Sequence, residues 1–149
     1  MPEMPPSDAT LPPEWYAAYP GTRYSSRWNL MAWSPRGVLD VSRAETIVHW
    51  LEAIEPRIGD FNRFIDFSQI SRVELGCEEV ADLAIRRREG YAGGHVKTAI
   101  LAVSPLAYGI ARMYELLLSS VPIHVHVVAH LAAAAEVLGV SVEVLGEAG

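Results

Sequence analysis

The sequence predicts an α/β domain built on a mixed, mostly parallel sheet, with an N-terminal antiparallel hairpin and about four helices. Three observations carry this. First, Val96 to Val128 reads strand, helix, strand: KTAILAV, then Ser104-Pro105 and LAYGIARMYELLL, then PIHVHVV. Two short apolar strands joined by a helix form a βαβ unit, which forces a parallel pair with a right-handed crossover. Second, strand and helix patterns alternate through the rest of the chain, as a parallel sheet requires. Third, RYSSR followed by WNLMAWS, between Arg23 and Ser34, has the pattern of a hairpin and adds an antiparallel member.

Taken in order, residues 1–21 hold six of the ten prolines and are expected to form a Pro-rich tail. Its aromatics Trp15, Tyr16 and Tyr19 suit docking, either on the domain's own surface or on a partner subunit. Residues 22–149 are the domain. In the hairpin, Leu30 and Ala32 fall on one face, and Asn29, Met31 and Trp33 on the other. Pro35-Arg36-Gly37 turns the chain, and Val38-Leu39 briefly extends the sheet. Ser42 and Glu45 have capping-box spacing, so a helix is expected to start at Ser42. Ala44, Ile47, Val48, Leu51 and Ile54 form its apolar stripe, and Pro56 and Gly59 end it.

Phe64 to Phe67 is the next strand, followed by the polar turn Ser68-Gln69. A second helix starts near Cys77-Glu78-Glu79, with acids at its start and Arg86, Arg87 and Arg88 at its end, as the helix dipole favours. Val80, Leu83, Ala84 and Arg87 share a face; Gly90, Gly93 and Gly94 stop it. After the βαβ unit comes a short helix, Leu131 to Leu138, stopped by Gly139. Val140, Val142 and Val144 alternate as a small edge strand would.

Composition limits the function. The chain has 149 residues, half of them hydrophobic, and a net charge of −6. One domain with a full core follows. An acidic balance argues against nucleic-acid or anionic-membrane binding. One cysteine, Cys77, excludes an internal disulfide and fits a reducing compartment. There is no signal-peptide pattern and no run of about 18 apolar residues, so a cytoplasmic protein without a membrane span is expected.

The strand FIDFSQI, the strand KTAILAVSP and the helix start LAYGIARMYELL before PIHVHVV resemble a STAS-like domain. More narrowly, they resemble the bacterial family described as similar to the sporulation anti-sigma-factor antagonist, which is related to CRAL-TRIO lipid-binding domains. In that family the third helix commonly carries an aromatic, a glycine, an arginine, an aromatic and a glutamate. The matching positions here are Tyr108, Gly109, Arg112, Tyr114 and Glu115. The likeness covers about residues 22–138. It departs at the turn where phosphorylatable antagonists carry an Asp-Ser-Ser-Gly-like motif. This chain reads Val73-Glu74-Leu75-Gly76-Cys77-Glu78 there, so a kinase-switched role does not carry over.

Leu106, Ile110, Met113 and Leu117 form one stripe of the third helix, expected to face the sheet. Ala107, Ala111, Tyr114 and Leu118 form a second apolar strip, expected to pack on a neighbour, either a helix of the same chain or another subunit. Tyr108 and Arg112, at i and i+4, can act together. With Ser104 beside exposed helix-start amides and Asp66 nearby, they outline an anion or ligand pocket at the carboxyl ends of the strands. The alternative is a structural pair of Arg112 with Glu115 or Asp66.

His124, His126 and His130 invite a metal reading. No nearby carboxylate or thiol completes a ligand set, however, and burial under a helix is expected. No metal or other cofactor is expected. Cys77 at a helix start reads as a small half-buried filler or, less so, as a stabilised thiolate. No G-x-S-x-G, P-loop or G-x-G-x-x-G is present, and no catalytic residue is assigned.

Three function classes follow. The first is a non-enzymatic STAS-like regulatory or interaction module in signalling, acting as a homodimer or with a partner protein. The alternative is a CRAL-TRIO-like carrier of a small apolar or anionic ligand. An undescribed enzyme comes last.

Overall fold

Short apolar strands separated by amphipathic helices assemble one central sheet in the computed structural model, which describes residues 21–146. The Pro-rich segment and its aromatics Trp15, Tyr16 and Tyr19 lie outside the described residues. The elements are β1 (Thr22–Ser25), β2 (Leu30–Trp33), β3 (Gly37–Asp40), α1 (Val41–Ile58), β4 (Asn62–Asp66), β5 (Ile70–Glu74), α2 (Cys77–Gly90), β6 (Val96–Leu101), α3 (Pro105–Leu117), β7 (Ile123–Val128), α4 (Leu131–Leu138) and α5 (Val142–Gly146).

The main sheet has the order β1-β2-β4-β6-β7. Only β1 runs antiparallel, against β2; the other pairs are parallel. The mixed, mostly parallel sheet and the opening hairpin are therefore as the sequence predicts. Because side chains alternate along each strand, the sheet has two buried faces. Met31, Trp33, Ile65, Ile100, Ile123 and Val125 join the core on one face, and Leu30, Ala32, Phe64, Ala99 and Leu101 on the other. Helices α1, α2 and α3 supply the first core, whereas α4 and α5 supply the second.

Four expectations need correction. Val38-Leu39 does not extend the main sheet: β3 pairs in parallel with β5, a strand without an apolar alternation to announce it, to make a separate two-stranded sheet. Helix α1 starts at Val41 rather than Ser42, because Asp40 is its cap; the Asp40 carboxylate accepts from the Arg43 amide at 2.9 Å. Pro56 does not end α1 but lies inside its last turn, and Gly59 at positive φ closes the helix. Val142 and Val144 belong to the short helix α5, not to an edge strand.

The largest correction concerns α3. Leu106 is 58% exposed, and Ile110, Met113 and Leu117 are only partly buried. Ala107, Ala111 and Leu118 are fully buried in the first core, with Tyr114 packed against it. Of the two neighbours expected for this strip, the structure supplies the one within the same chain: the strip packs on α2 and the sheet and is the core-facing side. Two alanines at i and i+4 leave room for close approach to the sheet and α2, which large side chains there would prevent. Leu118→Ala is expected to cost about 2–5 kcal/mol, the usual range for a truncated buried leucine. Leu106→Gln should stay within about 0.5 kcal/mol. Urea denaturation of both variants checks which face of α3 is inside.

Candidate functional site

The polar groups that share surroundings in this fold are not those the sequence singled out. Arg63 on β4 points into the first core beside its register partner Thr98 on β6. Arg87 near the end of α2 lies on that helix's buried face. Arg63 is 2% exposed and Arg87 1%. A buried cation is costly unless it is paired. Glu55, in the last turn of α1, pairs with both. Arg63 Nη2 donates to Glu55 Oε2 at 2.9 Å. Arg87 Nη1 donates to Oε1 at 3.2 Å, and Arg87 Nη2 makes a further bond to Oε2. Arg63 Nε also donates to the Phe61 carbonyl at 2.8 Å.

Aromatic rings complete the enclosure. Arg63 lies 4.4 Å from the Phe61 ring centroid and 5.6 Å from that of Tyr91; Arg87 lies 5.8 Å from Tyr91. Tyr91 is fixed in turn, its hydroxyl donating to the Gly94 carbonyl at 2.6 Å. The Gly94 amide donates to Asp60 at 3.0 Å, so close that a Cβ on Gly94 would stand 2.5 Å from the Asp60 carboxylate. A side chain at position 94 would require the exposed Asp60 carboxylate to swing aside and give up this bond.

Electrostatics follow burial. Loss of solvent pushes the Arg63 guanidinium below its ordinary pKa, with Glu55 opposing the shift. The same loss acts on Arg87, but its bonds to Glu55 and the nearby Tyr114 and Glu52 outweigh it and leave its pKa raised. Burial pushes the phenols of Tyr114 and Tyr91 up. Nearer the surface, Arg86 binds Glu52 through two bonds, at 3.0 and 2.6 Å, and holds that carboxyl below its usual range.

Beside this cluster lies an apolar cavity of about 100 Å³ between the sheet and helices α1, α2 and α3. Arg63, Thr98 and Tyr114 contribute polar groups to a wall made largely of aliphatic side chains such as Val48, Leu51 and Ile100.

The sequence-derived pocket residues take local partners instead. Ser104 caps α3, its Oγ accepting from the Ala107 amide at 3.2 Å. Asp66 accepts from the Ser68 amide at 2.8 Å. Arg112 pairs with Glu115 on the helix surface, the structural alternative raised above. Tyr108 is exposed, and none of these four lines the apolar cavity.

The histidines also need correction. β7 is an edge strand, not a central one, and His124 and His126 are exposed rather than covered by a helix. His95 Nδ1 lies 2.8 Å from His124 Nε2, with the rings stacked. Among the described residues, no group of three or more His, Cys, Asp or Glu is placed to hold a metal ion. Cys77 is exposed at the first position of α2, not half-buried. Leu75-Gly76 form the turn between β5 and α2. No described helix is long and apolar enough to cross a membrane.

Glu55, Arg63 and Arg87 were missed as a site. The signal was present, because each sits where the pattern demands an apolar residue. Arg87 shares the stripe of Val80 and Ala84, Glu55 follows Leu51 by four, and Arg63 alternates with Phe61 and Ile65.

Glu55→Gln leaves two buried guanidiniums without a countercharge and is expected to cost about 3–5 kcal/mol. Glu52→Gln, at a pair near the surface, should cost about 1 kcal/mol or less. Chemical denaturation at neutral pH checks both. The raised phenols set an alkaline limit. The folded state retains a proton that the unfolded state gives up near pH ~10, so stability falls as pH rises through that value and beyond. Tyr114→Phe should flatten that fall, read as the slope of unfolding free energy between about pH 9 and 11.

No protein-family model matches the chain, and no curated protein matches it. Among solved structures, it is similar to an uncharacterized protein of the DUF3478 family with a SpoIIAA-like fold from Shewanella loihica PV-4. The identity is 16%, covering 73% of this chain and 83% of that one, at a TM-score of 0.49. It is also similar to the anti-sigma factor antagonist SpoIIAA in its unphosphorylated form. There the identity is 16%, over 80% of this chain and 97% of that one, at a TM-score of 0.47. By its own topology the chain is a mixed α/β domain on a mostly parallel sheet.

Proposed function

We propose that this chain is a non-enzymatic STAS-like regulatory module in cytoplasmic signalling, working by protein–protein contact through the end of the sheet where α3 begins. In this reading, residues 22–149 form the interacting domain and residues 1–21 its tail. One observation supports it above the others. Val103 is 61% exposed and Leu106 58%, and Tyr108 is exposed beside them. Three large apolar side chains within six residues, at the carboxyl end of β6 and the first turn of α3, are costly to leave in water and suit a partner's surface. The polar groups around them, Ser104, Arg112 and Asp66, fit the rim of such a contact, where they retain solvent.

The occupant we favour is a second copy of the chain, since self-complementary contacts make twofold dimers the commonest oligomers. Sedimentation equilibrium and native mass spectrometry on the purified protein test this. The expected result is a dimer, converted to monomer by the double substitution Val103→Ser, Leu106→Glu with the thermal unfolding midpoint little changed. A wild-type monomer at every concentration would sink the homodimer, as would a dimer indifferent to the substitution.

A further inference from the structure

Independently of that reading, the buried charges and the cavity beside them suggest a ligand. The Glu55 carboxylate serves two guanidiniums, Arg63 and Arg87, so the three groups together carry one unit of positive charge inside the core. The neighbouring carboxylates bond to other groups, Glu52 to Arg86 and Asp60 to the Gly94 amide, and reach the cluster only through longer-range attraction. Arg87 Nε is buried and has no hydrogen-bond partner. An unmatched cation and an unpaired donor in the same buried cluster are unusual, because each costs stability that a well-packed interior avoids.

Tyr114 connects this cluster to empty space. Its side chain lines the apolar cavity, and it lies close enough to Arg87 for that guanidinium to oppose the upward shift that burial imposes on the phenol. A phenol hydroxyl has a proton to donate to an anion. Arg63 and Thr98 line the same cavity. Polar groups converging at one end of an aliphatic pocket are how a small ligand is oriented. The cavity's volume of about 100 Å³ is too small for a long acyl chain. Apolar cavities on the order of 150 Å³ accept a benzene ring, so this one fits a smaller branched alkyl group.

We propose that the cavity between the sheet and helices α1, α2 and α3 binds a short branched-chain carboxylate. The alkyl end fills the aliphatic pocket, and the carboxylate is received by Arg63, Thr98 and Tyr114, the polar groups that line it, with Arg87 behind them through Glu55. The added anion neutralises the excess buried charge and gives the cluster a second acceptor. Because three helices and the sheet meet there, occupancy stiffens the packing of α3 on the domain.

The probe is isobutyrate, compared with isobutyramide, which has the same shape without the charge. Two-dimensional NMR titration of the full chain at constant ionic strength reads both. Isobutyrate should bind saturably, with shifts at Thr98, Ile100, Ala111 and Tyr114. It should bind about tenfold or more tightly than the amide, the margin a charge-assisted bond supplies. Ala111→Leu, which fills the cavity, should abolish binding while unfolding stays cooperative. Should that variant fail to fold, Tyr114→Phe serves instead, and isobutyrate affinity should fall at least severalfold. Equal binding of acid and amide, no saturable binding, or shifts confined to surface residues would overturn the proposal and leave the cavity a packing void.

Discussion

The structure depends on one carboxylate. Glu55 stands where α1, β4 and α2 meet, and it is the shared acceptor for a buried arginine from each of the other two elements. A buried ion pair is seldom a net source of stability, because desolvation offsets attraction. What it does supply is a strong penalty for any arrangement that separates its members. Helix α2 cannot slide along α1 without parting Arg87 from Glu55. The cluster therefore fixes the register of the helical layer over the first face of the sheet. The loop from Tyr91 to Gly94 closes it, with Tyr91 against both guanidiniums and Asp60 held by the Gly94 amide.

That register explains the placement of α3. With α1 and α2 set by the charged cluster, the remaining space over β6 and β7 is shallow. It takes the small side chains of Ala107 and Ala111, with Leu118 closing the end. Leu106 and Val103 are left outside, and the apolar surface proposed as an interaction site is the result. The fit is not complete, because the cavity lies where Ala111, Tyr114 and Thr98 approach one another. The two proposed sites thus share α3: its first turn carries the exposed patch, and its buried strip carries the wall of the cavity.

The two faces of the sheet differ in how they are covered. Three helices pack on the first face, whereas short α4 and α5 form the second core with Leu30, Ala32, Phe64, Ala99 and Leu101. This leaves the outward side chains of β7, His124 and His126, in solvent beside Lys97. A parallel sheet normally has both faces buried, and the incomplete cover at β7 is the departure in this fold.

Local pattern alone determined much of this chain. Strand alternation placed the hairpin and its two faces, the βαβ unit forced parallel pairing of β6 and β7, and Gly139 ended α4 in a left-handed turn. These features rest on neighbours a few residues apart, which a sequence displays directly. Tertiary structure decided the rest. Which of two apolar strips of α3 is inside depends on the depth of the space above the sheet, and no helical wheel contains that depth. The pairing of β3 with β5 joins segments about thirty residues apart, by a register no local signal encodes. Glu55, Arg63 and Arg87 look individually like misplaced charges in apolar stripes. They become one site only when three elements from different parts of the chain converge, because only then does each charge find the partner that lets it stay buried.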